Sequence, residues 1–399
     1  MFLMAGSRAT EREKRALESR FNGLFFWSYC LLNVYGTYLN LYFKRIGLSG
    51  TAIGTLSAVF SLVAVILTPW IGSRFDAVAR KPARFLGGLA FFSGLIFYGL
   101  LLPLPFAGRM ALMALLSLAW TPFIPIINSL SLHSPAATGA ASRGFGGYRR
   151  WGSLGFAVAG VVTGWLAGRF GITAIFPVYA ACGLVLVFLS MGIPPEPLHP
   201  HGAPPPFAKS IVSLLRSPAF LALALVALTY SVGSSICWTF RSIYLDSIHV
   251  SELNIGLIWL LPIAAEIVVF TWGEELVSRF GGIGLVLAGN LVGGARWWLL
   301  SSVTSLPVVY LVEVLHGVAF ALYFMGAIAL LRKCVPPTQG ATAQILFNSS
   351  FSGVGSTAGA YIGGMMFDRI GVIAQLRTGG TILALSGLAA VFILRRYRR

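Results

Sequence analysis

Apolar runs of about twenty residues recur about twelve times along this chain, separated by short polar breaks. They fall at roughly 21–43, 51–73, 85–106, 109–132, 150–168, 172–193, 218–243, 252–275, 282–302, 306–331, 343–367 and 374–394. A helix of about twenty residues rises about 30 Å, the thickness of a bilayer's hydrocarbon layer. An amide left unpaired in lipid costs several kcal/mol, so spanning segments are helices or closed barrels. Barrel strands alternate lipid-facing and lumen-facing residues over about ten positions. These runs are twice that length and do not alternate. The pattern predicts an all-α integral membrane protein with twelve transmembrane helices.

The longest break, GIPPEPLHPHGAPPPFAKSIVSLLRS from Gly192, is proline-rich at first. It then places Phe207, Ile211, Leu214 and Leu215 on one helical face, with Lys209 and Arg216 to the sides. That reads as a linker followed by a short helix lying on the membrane surface. His199 and His201 fall in the linker, and two ligands without a third make no metal site. The chain is therefore divided into an N-tail (1–20), an N-terminal six-helix half (21–193), the linker with its amphipathic helix (194–217), a C-terminal six-helix half (218–394) and a basic C-tail (395–399).

The two halves echo each other. YFKRIGLSGTAIG (Tyr42 to Gly54) returns as YLDSIHVSELNIG (Tyr244 to Gly256). Gly155, Gly164, Arg169 and Gly171 return as Gly355, Gly364, Arg369 and Gly371. Repeated halves predict a pseudo-symmetric pair of six-helix units around a central cavity, with alternating access by rocking of one on the other. Gly160, Gly164 and Gly168, and likewise Gly355, Gly359 and Gly363, recur every fourth residue. Small residues at that spacing let helix backbones approach closely. GFGGYRRWG follows no strand and lacks a P-loop lysine, so it is no nucleotide site.

Composition agrees with the membrane reading. The chain is 57% hydrophobic and 10% charged, with mean hydropathy +0.81, against about 25% charged in soluble domains. The net charge of +17 comes from residues flanking the apolar runs, with no basic stripe for nucleic acid. With the N-terminus inside, inside segments hold about 21 Lys and Arg and outside segments about 7, which predicts both termini in the cytoplasm. The N-terminal twenty residues are charged in both signs and lack a cleavable apolar core, so the first run is expected to be a retained span. Cys30, Cys182, Cys237 and Cys334 are far apart in the chain and read as small buried side chains.

Four ionisable groups of the second half stand inside the runs and away from their ends: Glu266, Arg296, Glu313 and His316. A charge at the bilayer centre costs about 2.5–3.5 kcal/mol on insertion scales. At 1.5 Å per residue, Arg296 and Glu313 both lie ~10 Å below the outer surface, His316 ~15 Å and Glu266 ~21 Å. Arg296 and Glu313 can therefore meet, and the stack suits a proton path. A buried Glu–Arg pair can also serve packing alone, and a histidine can be a satisfied core residue. Glu313 and His316, three apart, share a helix face, and histidine changes charge near neutral pH, which favours proton coupling. In the first half Asn33, Tyr35 and Tyr38 mark the first run, Asn128 ends the fourth, and Arg149 and Arg150 open the fifth before Trp151. These are either end caps and topology signals or a hydrogen-bonding, anion-binding set facing the cavity.

GSRFDAVARK resembles the loop signature of the major facilitator superfamily, matching it at Gly72, Asp76, Arg80 and Lys81 and departing at Arg74, Ala77 and Ala79. YRRWGSLGF (Tyr148 to Phe156), AEIVVF (Ala265 to Phe270), ARWW (Ala295 to Trp298) and LHGVAF (Leu315 to Phe320) resemble motifs of its phenylpropionate permease branch, which is similar to the lactose permease group. The resemblance implies proton-coupled solute import and a gating role for the loop. It puts Glu266, Arg296 and His316 at coupling positions and Arg149 at a solute contact. Asn128 stands where an acid is common, and Glu313 precedes the histidine where the lactose permease group places its glutamate after it.

The expectation is a multi-pass protein of the cell inner membrane. It acts as a monomeric symporter with protons, a small organic solute (an aromatic carboxylate or a sugar) and the lipid bilayer as partners, and with no cofactor. A proton-driven exporter of hydrophobic compounds needs the same acids and is the rival reading. An enzyme would need a catalytic set and a sensor a signalling domain; the sequence offers neither.

Overall fold

The computed structural model describes residues 11–78, 82–133, 144–193, 207–336 and 339–396. His199, His201, Arg80 and Lys81 lie outside the described residues. Among the described residues every regular element is helical. The first six-helix region holds α1 (Glu11–Asn33), a π-helical stretch (Val34–Tyr38), α2 (Leu39–Arg45), α3 (Gly50–Val78), α4 (Pro82–Gly99), α5 (Phe106–Trp120), α6 (Phe123–His133), α7 (Gly144–Phe170) and α8 (Ile175–Met191). Gly72 and Asp76 fall in the last turns of α3. After the surface helix α9 (Phe207–Leu215) come α10 (Pro218–Trp238), α11 (Arg241–Ser247), α12 (Glu252–Leu257), α13 (Leu260–Thr271), α14 (Gly273–Leu300), α15 (Leu306–Cys334), α16 (Gly340–Ser349), a second π-helical stretch (Ser350–Gly355) and α17 (Ser356–Arg395).

Each predicted run lies on one of these helices or on two or three consecutive elements. Among the described residues, eight stretches, from Phe106–Ser131 to Leu346–Arg395, are long and apolar enough to cross a membrane. The last is 50 residues long and turns back at Gly371, whose φ of 77° lies in the left-handed region that only glycine enters freely. Leu311, Phe188 and Phe392 are 69%, 70% and 74% exposed. Exposed apolar side chains on this scale suit acyl chains and not water.

The internal repeat extends to backbone geometry. Gly171 (φ 87°) and Gly371 (φ 77°) turn the chain at matching places. Gly47 (φ 88°) is matched in the second half by His249 (φ 61°), the one non-glycine residue with positive φ among the described residues.

The helices up to α8 pack mostly among themselves, as do those from α10 onward, and the two sets meet along α3 with α17 and α7 with α12. One end of that seam is closed by backbone. A Cβ on Gly256 would lie 2.0 Å from the Gly160 carbonyl oxygen, one on Gly164 2.3 Å from that of Glu252, and one on Gly54 2.4 Å from that of Ala360. Only glycine allows such approach. Polar bonds frame this sealed end. Asp368 accepts from the amides of Gly50 and Thr51 and from the Thr51 hydroxyl, each at 2.7 Å. Arg45 reaches Asp246 at 2.5 Å and Glu252 at 2.6 Å. In the second half Gly355, Gly359 and Gly363 admit α10 within its own set. The thiol of Cys30 sits beside that of Cys182, so distance in sequence does not carry over to distance in the fold.

Candidate solute and proton site

Helix α15 begins at Leu306 with a proline in its first turn, and two turns in it buries Glu313 completely. Helix α14 runs antiparallel beside it, and Gly289 lets the two backbones touch at Ala319 and Tyr323. The approach brings Arg296 Nη2 to Glu313 Oε2 at 2.6 Å. A second guanidinium, Arg241 at the start of α11, gives its Nε to Glu313 Oε1 at 2.9 Å. Sequence reading missed Arg241, because a cation at the edge of an apolar run looks like a topology flank. The repeat held a signal: the offset that takes Tyr42 to Tyr244 takes Leu39 to Arg241.

One carboxylate between two guanidiniums leaves one net positive charge. Arg241 Nη2 and Arg296 Nε are buried and have no hydrogen-bond partner. The other described acids at the nearby seam, Asp246 and Glu252, are taken by Arg45. Removing an ion from water still costs several kcal/mol after relaxation, so the unmatched charge is an energetic feature of the site.

Aromatic rings cover this triad. The Arg241 guanidinium carbon lies 4.6 Å from the Trp259 ring centroid and 5.9 Å from that of Trp238. Arg296 stacks on Trp297 at 4.0 Å. The ring quadrupoles attract a desolvated cation held over their faces. His316 is half-buried and shares no hydrogen bond with Glu313; its ring packs 5.1 Å from Trp238, 5.8 Å from Trp259 and 6.4 Å from Phe320. Trp259 donates its indole N–H to the Thr37 hydroxyl across the seam at 3.1 Å and meets Phe156 at 4.9 Å.

Glu266 does not join the triad. It lies seven residues beyond Trp259, and Arg149 seven before Phe156, so both sit two turns, about 10 Å, past the ring contact. There Glu266 feels the charge of Arg149 across the seam without a hydrogen bond, and Arg149 stacks on Tyr29 at 4.4 Å. By contact the groups form two neighbouring sets: Arg241, Glu313 and Arg296 with His316, and Glu266 with Arg149 and Tyr29. Main chain joins the two sets: Gly317, next to His316, packs against the Pro262 carbonyl and the Glu266 amide of α13.

The remaining sequence candidates divide. Tyr38 bonds the seam in this conformation, its buried hydroxyl donating to the carbonyls of Gly160 at 2.7 Å and Glu252 at 3.2 Å. Asn33 is fully buried, and neither side-chain polar atom has a partner. Tyr35 is half-buried and stacks on Phe60 at 4.5 Å. Asn128 is half-buried with its Oδ1 unpartnered, and the Trp151 indole N–H is also buried without a partner. Arg150 is exposed.

The sequence profile described as "MFS_1 like family" matches residues 19–377. The chain is 27% identical over 325 residues to the maltose permease of Geobacillus stearothermophilus, covering 81% of this chain and 80% of that protein. It is 24% identical over 320 residues to the probable 3-phenylpropionic acid transporter of Escherichia coli (strain K12), covering 76% and 78%. Among solved structures, the nucleoside transporter NupG superposes with a TM-score of 0.82 at 17% identity, over 96% of this chain and 99% of that one.

Proposed function

We propose, from the premise that this chain belongs to the MFS_1 like family and is a multi-pass membrane transporter of a small molecule, that it is a proton-coupled symporter. The solute would be a small organic compound, an aromatic carboxylate or a sugar, carried inward by alternating access across the inner membrane. Both termini would be cytoplasmic. The halves would be 21–193 and 218–394, with the linker 194–217 between them and the tails 1–20 and 395–399 inside. The sealed end then faces outward.

The observation that carries this reading is the placement of Glu313, Arg296 and His316 in one apolar site while Glu266 faces Arg149 across the seam. Charges are rare in spans and mark ion or substrate paths. In the outward-open state protons would load this group and solute would enter; closure of the outer seam would follow, and both would leave inward. Asn33, Tyr35, Asn128, Arg149 and Trp151 would line the solute's path. Only a difference in affinity between the two states can drive the shift. Gly72, Asp76, Arg80 and Lys81 would set the inner gate.

The test is solute-induced proton uptake in proteoliposomes over a compound panel, with inverted vesicles to separate import from export. Glu266→Gln and His316→Ala are expected to abolish accumulation against a gradient while sparing downhill exchange. Accumulation undiminished in both would remove the coupling assignment.

A further inference from the structure

We infer that Arg241 is shared between Glu313 and the solute: an organic monoanion bearing a flat ring takes Arg241 from Glu313, leaving Glu313 with Arg296 alone. This rests on the transport reading above and adds a residue and an exchange to it.

Four observations converge. The buried triad carries a surplus positive charge, which a monoanion would cancel. Arg241 Nη2 is buried without a partner, while only its Nε is spent on Glu313. A guanidinium presents its donors as a fork that fits one carboxylate in two-point fashion, and Arg241 meets Glu313 through one nitrogen only. Arg296 holds the other carboxylate oxygen independently, so Glu313 keeps a cation when Arg241 leaves.

The rings give the second half of the ligand. Trp238 and His316 are half-buried, their planes 32° apart at 5.1 Å, with Trp259 edge-on to Trp238 at 5.2 Å. A flat ring laid against the half-buried Trp238 and His316 gains stacking and buried area, with its anionic group directed at Arg241 behind them. The groups facing Arg241 are Glu313 and His316 of α15, Arg296 of α14, Trp238 and Trp259, and Tyr38 from across the seam. After exchange there are two separate carboxylate–guanidinium pairs and no net charge.

The experiment uses the purified full chain in detergent, without any gradient, and follows tryptophan quenching by phenylacetate and by its uncharged isostere phenylacetamide. The wild-type protein is expected to bind the carboxylate at least tenfold more tightly than the amide. Arg241→Gln should bring carboxylate binding down to the amide's level, and Arg241→Lys should recover part of it. Glu313→Gln should tighten carboxylate binding several-fold, because the internal competitor is gone. Equal binding of acid and amide by the wild type overturns the inference without any variant. So does Glu313→Gln binding more weakly while its elution and melting stay wild-type. Acid-selective binding without proton-linked uptake would remove the symport reading and leave the exchange in place.

Discussion

Arg296 and Glu313 meet at 2.6 Å with side chains 2% and 0% exposed. Breaking a buried pair from one side leaves an uncompensated charge, which costs about 3–5 kcal/mol. Glu313→Ala would leave two guanidiniums facing each other, and is expected to destabilise the protein by that amount in detergent unfolding. Adding Arg241→Gln should return a large share, since the remaining cation then has no like neighbour. Additive losses in the double variant would show that the three groups do not act as a unit.

The glycine seam gives a positional contrast. Gly256→Ala places a methyl 2.0 Å from the Gly160 carbonyl oxygen, a contact that backbone must move to relieve, whereas Gly88→Ala meets nothing within 4 Å. Gly256→Ala is expected to prevent the sealed end from closing and to reduce transport at least tenfold. Gly88→Ala should leave transport intact and add up to about 1 kcal/mol through helix propensity. Spin labels on Ala52 and Ile370 would report the seam width in both.

Asp368 makes the seal depend on pH in one direction. Burial pushes its carboxyl up, but the Thr51 hydroxyl and the amides of Thr51 and Gly50 outweigh that, with Lys44 helping, and hold it below the usual value. A depressed carboxyl stabilises the sealed state above its ordinary value, and that contribution is lost as pH falls through the depressed one. Sealing should therefore be flat from pH 5 upward (about a unit above an ordinary aspartate) and weaken only in stronger acid. Asp368→Asn should show the weakened seal at neutral pH, read by the same label distance.

Arg45 is 32% exposed between Asp246 and Glu252. Exposed pairs contribute roughly 1 kcal/mol or less and are screened by salt. Arg45→Ala is expected to change stability by no more than that, and to widen the label distance in low salt but not in high salt.

The spans, the repeat and the level of the Arg296–Glu313 contact were legible because each depends on a period or a rise per residue. Apolar runs of the right length dictate helices in lipid whatever their partners. Arg241 and Tyr38 were not legible for a shared reason. Each acts through a neighbour set by how the bundle closes, Tyr38 over 214 positions to Glu252. The split of Glu266 from the triad also escaped, since depth along a helix says nothing of facing. Only the cross-seam contact of Phe156 with Trp259 fixes which residues stand opposite.

The seal is made where main chain rests on main chain at Gly160 and Gly256, with the Tyr38 hydroxyl bonded to the Gly160 carbonyl beside them. Attraction between touching atoms fades by a quarter to a half over a gap of about 0.5–1 Å, so even slight parting there would forfeit up to half of the adhesion at once. A latch of this kind has shut and released positions and little in between, which suits a barrier that must never leak ions while its cargo passes.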